Sequence, residues 1–414
     1  MVKSNFWHGS IFLGLIIIHV LFSWSYVSLI GPNFGYMGFE LTFEPAKILM
    51  SSIVIIFLSA YISILKEDFC KIISCLLFIF VSSPNSVIFS YMQENWGVYF
   101  WAIMCVPVTV VFTKVLPTFK LPVLSEVHKV KFLIFSMLFL FVLVFSSHGL
   151  HLNWKVFLLE DIYDVRLAAR QSNSTVSVYA YFILAKVICP IAIIYSLEKR
   201  KYTFLYVSLI ILTYLFMTTG HKSVYFTMFV LLGFSIGKNS YKDKINLLLW
   251  GTIVLFFLCR MLSLLNWYMP ESLFIRRLFF IPALLNLYFL DYFEHVKLFY
   301  SGSFMGGLID YPLDRVPARE IGYVYFGSED MSANNGYISD GYANLGHFGI
   351  LFTILITSWI YKFFWKYNVP AKYFGLIFVT FYAFQGSGLS TALITHGALL
   401  LSLMIPLFLR GGKE

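Results

Sequence analysis

The residues best equipped for chemistry lie in one polar stretch, residues 332–349, which reads SANNGYISDGYANLGHFG. It places amide, carboxylate, imidazole and phenol groups at the mouth of an apolar run, where such groups are costly unless they have partners or a function. Asp340 is the first candidate for a general base or an orienting acceptor. His347 is a candidate proton carrier, with a hydrogen-bonded core residue as the alternative.

Arginines provide a second kind of chemistry, because a planar guanidinium binds phosphate or carboxylate oxygens in bidentate fashion. A helix over residues 160–170 would place Arg166 and Arg170 on one face. Arg276 and Arg277 are adjacent, so their side chains point about 100° apart on a helix and have different roles. Ion pairing inside the loops is the alternative for all of these arginines, with the nearby acids Asp161, Asp164, Asp310, Asp314 and Glu320.

Lys222 lies in a predicted tight turn, residues 218–223 (TTGHKS). Two interpretations remain open for it, a phosphate ligand and a simple interfacial anchor. As a base, Asp340 ranks above His347 and His221, and further acids in the same loop are Asp310, Asp314, Glu320, Glu329 and Asp330.

Composition identifies the environment that must position these groups. The 414 residues are 59% hydrophobic and only 12% charged, whereas soluble proteins carry about 25% charged residues. The net charge of +9 is scattered between apolar runs, so nucleic acid is not an expected partner. We therefore predict a single all-α, polytopic membrane domain over residues 1–414.

Twelve apolar runs are long enough to cross a bilayer, which needs about 20 residues. The first is interpreted as a retained span and not as a cleaved signal. The runs centre near residues 6–29, 46–65, 71–90, 97–113, 130–149, 176–196, 202–218, 222–237, 245–266, 343–361, 371–387 and 390–409.

Cation placement predicts that both termini are cytoplasmic, because Lys and Arg are retained on that side. This orientation places 18 of the 30 cations inside, 16 of them Lys, whereas the outside set is seven Arg and five Lys. Two long loops, residues 147–175 and 267–341, then lie outside, and long loops in compact proteins are usually functional. The second is expected to open with an interfacial helix that breaks at Pro282.

Other motifs narrow the chemistry. The five cysteines lack CxxC spacing and are interpreted as buried hydrophobes, and no HExxH, DxD, P-loop or GxGxxG motif is present. A metal or nucleotide cofactor is therefore not expected. Gly341, Gly346 and Gly349 fit close helix packing in lipid.

With these features the chain resembles the Wzy-type polymerases of O-antigen and capsule repeat units. The resemblance covers the topology of the whole chain. In residues it rests on Tyr163-x-x-Arg166-x-x-x-Arg170, the turn 220–223, Arg276-Arg277 with Pro282 downstream, and residues 334–346.

The resemblance implies a GT-C-like fold of about 12 transmembrane helices in a bacterial inner membrane. The implied reaction is periplasmic: a glycan on undecaprenyl diphosphate moves to a new lipid-linked repeat unit, and the lipid diphosphate leaves. The implied partners are this lipid-linked oligosaccharide as donor and acceptor, the bilayer and a chain-length regulator protein.

The resemblance also implies residue roles. Cations must bind the departing diphosphate and a base must take the acceptor proton, without a metal. The diphosphate would be bound by Arg166, Arg170, Lys222, Arg276 and Arg277. Asp340 and His347 would be catalytic, and the sugar would contact Asn335, Tyr337 and Tyr342.

Three other functions remain open. An O-antigen ligase shares the donor and the periplasmic site. A flippase for the same lipid-linked oligosaccharide would show paired halves and charges in mid-span, whereas the halves of this sequence show no obvious similarity and Lys186 is its only clear mid-span charge. A membrane O-acetyltransferase would need access to an acyl donor in the cytoplasm, where only short basic turns are expected.

Overall fold

The computed structural model describes residues 2–92, 96–150, 152–158, 162–172 and 174–410. Every regular element in this part of the chain is a helix. Ten of the helices found there are long and apolar enough to cross a membrane. This confirms the predicted all-α, multi-pass membrane protein.

Nine of the ten span-length helices coincide with predicted apolar runs, and the tenth, Met269–Tyr292, lies in the predicted second loop. Three other predicted runs form shorter helices, so a count of twelve crossings remains a prediction. The span-length helices are Trp7–Asn33, Pro45–Ile64, Asp68–Tyr91, Trp96–Val115, Glu126–His148, Thr175–Lys199, Tyr202–Thr219, Tyr241–Leu264, Met269–Tyr292 and Tyr337–Lys366. The shorter ones are Ile162–Ser172, Lys222–Ser235, Pro317–Phe326, Phe374–Gly386 and Ala398–Leu409.

Several of these helices contain π-helical turns, which are rare and frequently mark functional sites. The longest, Ser272–Phe280, carries Arg276 and Arg277 and leads directly into Ile281–Tyr292. The predicted break at Pro282 is therefore wrong. Pro282 stands in the first turn of the α-helical part, where the widened turn before it accommodates a residue that has no N–H.

The chain divides into two compact units. Unit 1 comprises residues 1–116, 241–359 and 384–389, and unit 2 comprises residues 117–240, 360–383 and 390–414. Each unit therefore combines segments that are distant in sequence.

The core of unit 1 surrounds the helix Asp68–Tyr91, in which 94% of the most apolar window is buried. Side-chain hydroxyls on this helix bond to neighbours, since Ser82 donates to the Ala102 carbonyl at 2.6 Å and Ser90 pairs with Ser51 at 2.6 Å. Nearby, Phe22 makes edge contacts with Phe256 at 4.7 Å and with two further rings. Hydrogen bonds and close packing of this kind hold helices together in lipid, because the hydrophobic effect does not drive helices together there.

Unit 2 contains the helices Thr175–Lys199 and Tyr202–Thr219, which pack against each other. The predicted helix around Arg166 and Arg170 is present as Ile162–Ser172. Its Val165 packs against a cluster of Val156, Phe216 and Met217, so the first predicted loop contacts the end of Tyr202–Thr219. That helix ends at Gly220, whose φ of 63° is left-handed, and Lys222 starts the next helix, which confirms the predicted tight turn.

The helix Tyr337–Lys366 is a hairpin, because Leu345 and Gly346 have non-helical dihedrals. The short arm, residues 337–344, folds back on the long arm, since the Thr353 hydroxyl donates to the Tyr337 carbonyl at 2.9 Å. Gly346, with φ 63°, makes the reversal. A Cβ on Gly341 would lie 2.6 Å from the Gly349 carbonyl oxygen, so the two arms touch through their backbones. We call residues 337–353 the glycine hairpin.

Adding a methyl group between the two arms of the glycine hairpin is expected to destabilise the fold. Gly349→Ala would press a methyl group into the Gly341 backbone, and overpacking of this kind costs about 1–3 kcal/mol. Gly251→Ala is the control, because nothing lies within 4 Å of its added Cβ and Ala is favoured in helices. Only Gly349→Ala should lower the thermal unfolding temperature of the purified protein. Equal melting temperatures would contradict the close contact.

Candidate functional site

The glycine hairpin begins with a buried network of amide and hydroxyl groups in unit 1. The Asn335 amide donates to the Asn286 side-chain oxygen at 3.0 Å and to the Ser339 hydroxyl at 2.7 Å. Ser339 in turn donates to Asn286 at 2.9 Å, and Asn286 donates to Asn85 at 3.3 Å. The network joins the short arm to two neighbouring helices, and a half-satisfied version of it would be costly.

The carbonyl groups at the end of the short arm accept hydrogen bonds from a neighbouring loop, residues 298–300. Backbone N–H groups of Leu298 and Phe299 donate to the Ala343 and Asn344 carbonyls at 2.9 and 3.1 Å. The Tyr300 N–H donates to the Asn344 side chain at 2.7 Å. Phe299 and Tyr300 have φ of 49° and 57°, an uncommon conformation that aims these N–H groups at the helix end. The short arm is thus fixed at both ends.

Asp340 lies on this fixed arm, and its Oδ2 accepts a hydrogen bond from the Leu389 N–H at 2.9 Å. Leu389 begins the helical segment that follows Gly388, so the carboxylate caps a helix start. A Cβ on Gly388 would lie 2.5 Å from the Asp340 Oδ1. The side chain is half-buried. Asp340 therefore has a structural partner as well as a carboxylate suited to proton transfer.

His347 starts the long arm, and its exposed ring contacts two aromatic side chains. The Trp101 indole N–H donates to the His347 Nδ1 at 2.8 Å, and the Tyr342 ring contacts the imidazole edge-on at 5.3 Å. Because indole can only donate, Nδ1 is the acceptor and the neutral ring carries its proton on Nε2. In this state His347 offers an N–H donor and not a base.

Lys297 completes this group of side chains. Its Nζ lies 4.0 Å from the centroid of the Tyr342 ring and donates to the Phe293 carbonyl. Burial at this position lowers the pKa of the Lys297 ammonium below its usual value. The structure thus adds Trp101 and Lys297 to the predicted pair of Tyr342 and His347.

The predicted sugar contacts are all buried. Asn335, Tyr337 and Tyr342 are 7%, 4% and 8% exposed. Asn335 is engaged in the amide network, and Lys297 covers the Tyr342 ring. Direct contact of these side chains with a sugar would need movement of the loop, and their role in sugar binding stays a prediction.

Six of the seven arginines predicted outside have described side chains, and these six divide into two groups. Arg260 pairs with the fully buried Glu271 at 3.4 Å, and Arg315 pairs with Glu320 and Glu329 at 3.6 and 3.5 Å. Arg260 and Arg315 therefore form ion pairs within the protein. Among the described side chains, the others make no ion pair with a carboxylate: Arg166, Arg276, Arg277 and Arg319.

The side chains of Arg276 and Arg277 on the π-helix point in different directions, as their adjacent positions predicted. Arg276 is half-buried, with its guanidinium 4.2 Å from the Phe34 ring centroid and its Nε donating to the Ser272 hydroxyl at 3.1 Å. Arg277 is exposed. The structure therefore directs Arg276 inward against residues 34–37 and Arg277 outward.

Unit 2 brings two other predicted cations to one place. The Arg166 Nε donates to the Gly220 carbonyl at 3.2 Å, beside the turn that carries the exposed Lys222. The Arg170 side chain lies outside the described residues. Within the described part of the chain, no group of three His, Cys, Asp or Glu side chains is arranged to hold a metal ion.

No known family, curated protein or solved structure matches this chain. Trp101, Lys297 and Asn286 gave no signal in the sequence, because each belongs to an apolar run or a loop and meets its partner only through the fold.

The two roles of Asp340 can be separated by substitution. An Asn side chain retains an oxygen that accepts the Leu389 N–H, so Asp340→Asn should unfold at the wild-type temperature. Asp340→Ala removes the acceptor and should be less stable, by about 1 kcal/mol as for other helix caps. The measurement is thermal unfolding in detergent. If both variants melt alike, the cap is energetically unimportant.

The tautomer of His347 is expected to depend on Trp101. In protein labelled with ¹⁵N-histidine, the His347 signal, assigned by its loss in His347→Gln, should show an unprotonated Nδ1. Trp101→Phe keeps an aromatic ring but removes the donor, so the two tautomers should become mixed. Trp96→Phe is the control, since Trp96 packs on Phe89 instead. An unchanged spectrum in Trp101→Phe would exclude the hydrogen bond.

Proposed function

We propose that this protein is a bacterial membrane glycosyltransferase that polymerises undecaprenyl-diphosphate-linked oligosaccharide repeat units into O-antigen or capsular polysaccharide. The reaction takes place on the periplasmic face of the inner membrane, with both termini in the cytoplasm. The distribution of lysine and arginine along the chain supports this orientation.

The observation that carries the proposal is the division of the arginines. Arg260 and Arg315 have carboxylate partners, whereas Arg166, Arg276 and Arg277, expected to bind diphosphate, form no ion pair with any described residue. Guanidinium groups kept without an internal counter-ion in an apolar chain are suited to an external anion. The π-helix that carries Arg276 and Arg277 adds support, because such turns frequently occur at functional sites.

The glycine hairpin provides the second requirement of the reaction. The acceptor hydroxyl attacks the anomeric carbon of the donor, the bond from that carbon to the diphosphate oxygen breaks, and the hydroxyl proton passes to a base. Asp340 is our candidate for that base. His347, held as an Nε2–H donor, is placed to hydrogen-bond to a substrate oxygen. The amide network keeps the arm rigid, as catalytic geometry requires.

A flippase for the same lipid is the second candidate, and one observation favours it. The chain after residue 371 forms discontinuous helical pieces, Phe374–Gly386, Thr391–Thr395 and Ala398–Leu409, and interrupted helices are typical of transporter binding sites.

A genetic experiment separates these functions. The gene is deleted and complemented with wild type, Arg166→Ala, Arg276→Ala or Asp340→Asn at matched membrane levels, and the surface glycan is run on a silver-stained gel. We expect the deletion and all three variants to give core plus one repeat. For Asp340→Asn we expect polymerisation to fall by about 10²–10⁴-fold, because the base is removed while the cap remains.

The controls are Arg200→Ala and Asp243→Ala, which remove the same charges from predicted cytoplasmic positions and should leave the ladder intact. A full ladder in the deletion strain would refute the polymerase. Bare core without any repeat would instead indicate a ligase or a flippase.

A further inference from the structure

Unit 2 contains a second concentration of basic side chains, at an interruption in its last helices. His396 and Gly397 lie between the π-helical turn Thr391–Thr395 and the helix that starts at Ala398. Gly397 has φ 72°, and a Cβ there would collide with the Val187 side chain. Only glycine fits, so the interruption is pressed against the π-helical turn Leu184–Ile188, which carries Lys186.

Two imidazoles lie close to one phenyl ring. The Phe182 ring centroid is 5.7 Å from that of His396 and 6.0 Å from that of His221. The Tyr181 ring is 5.5 Å from His221, and its hydroxyl lies 3.1 Å from the Thr219 hydroxyl. The rings thus connect the helix interruption to the turn that contains Gly220 and His221.

Several positive groups lie close together here, and among the described residues no carboxylate forms an ion pair with Lys186 or Arg166. Lys186 and His221 both act electrostatically on His396, and Arg166 acts on Tyr181 while it donates to the Gly220 carbonyl. Lys186 makes no ion pair or hydrogen bond with any residue that the structure describes. A lysine in the middle of an apolar helix is costly to bury in lipid, and such residues normally face a partner or a cavity.

We propose that Lys186, His221, His396 and Arg166 form a binding site for a diphosphate group. The positive charges of Lys186 and Arg166 match the two negative charges of a diphosphate diester, whereas a single carboxylate would leave an excess positive charge. The imidazoles of His221 and His396 add N–H donors, and the hydroxyls of Tyr181 and Thr219 lie beside them.

The anion is carried on a lipid in this proposal, and that part rests on the proposed glycosyltransferase function. Lys186 lies about halfway along Thr175–Lys199, a helix of span length. A diphosphate attached to a lipid chain can reach such a depth along the protein surface. No sequence pattern groups these residues, because 175 positions or more separate His396 from Lys186 and His221.

The test uses the full chain in phosphatidylcholine nanodiscs, where the headgroups carry no net charge. Binding of inorganic diphosphate, farnesyl diphosphate and acetate is measured by isothermal titration calorimetry. We expect both diphosphates to bind, acetate not to bind, and Lys186→Met to weaken diphosphate binding by about 30-fold or more. His396→Gln should weaken it less, because a neutral donor is retained.

Lys71→Met is the control, because Lys71, like Lys186, is a lysine in a span-length helix but belongs to unit 1. It should bind diphosphate as wild type does. Lys186→Arg keeps the charge and should retain most of the affinity, which guards against a folding defect in Lys186→Met. Binding of farnesyl diphosphate at least as tight as that of inorganic diphosphate would identify a lipid-borne anion. Rejection of farnesyl diphosphate would restrict the site to free diphosphate and overturn the lipid-borne part of the proposal.

The proposal is overturned if wild type binds neither diphosphate, if acetate binds equally well, or if Lys186→Met binds as tightly as wild type. These outcomes are independent of the glycan ladder. A normal ladder in the deletion strain together with lysine-dependent diphosphate binding would leave the site in place and remove only the polymerase function. A ladder lost in the deletion strain without diphosphate binding would do the reverse.

Discussion

The buried hydrogen-bond network of Asn85, Asn286, Asn335 and Ser339 is the interaction on which the polar part of unit 1 depends. Amide groups withdrawn from water must find partners inside the protein, because an unpaired one costs several times what a paired one contributes. Each of these four side chains is satisfied only when three separate segments are in register. The network therefore specifies where the glycine hairpin starts, and with it the position of Asp340.

The rest of the hairpin follows from the need to satisfy backbone groups. The reversal at Gly346 ends the short arm early, and its last carbonyls are bonded by N–H groups of residues 298–300. This loop in turn brings Lys297 over Tyr342, whose neighbour is His347. A constraint on backbone hydrogen bonding thus brings ionisable and aromatic groups together. It also explains why costly polar residues are tolerated in so apolar a chain.

The π-helical turns have a corresponding role for the cations. Lys186, Arg276 and Arg277 lie on such turns, and His396 follows one directly. A π turn adds a residue to the helix and changes the direction of the side chains that follow, so a cation can be presented where a regular helix would direct it elsewhere. Each unit thus has its own basic groups. Arg276 and Arg277 lie in unit 1, and the site that we propose around Lys186 lies in unit 2.

The sequence by itself determined the all-helical membrane architecture and nine of the span-length helices, because the length of an apolar run is a local property that lipid enforces. It also predicted the helix around Arg166, the turn at Gly220, the buried cysteines and the different directions of Arg276 and Arg277. All of these depend on neighbours a few positions away. Short periodicities are sufficient to reveal them.

Only the tertiary structure decided which side chains meet. Trp101 and His347 are 246 positions apart, and nothing in either segment indicates that an indole N–H holds that imidazole. The same is true of His396 and Lys186, and of the continuous helix through Pro282, which depends on a π turn that has no sequence period. The physical reason is common to all three: hydrogen bonds, ring contacts and charge proximity depend on how distant segments pack, whereas the apolar pattern reports only how each segment meets the lipid.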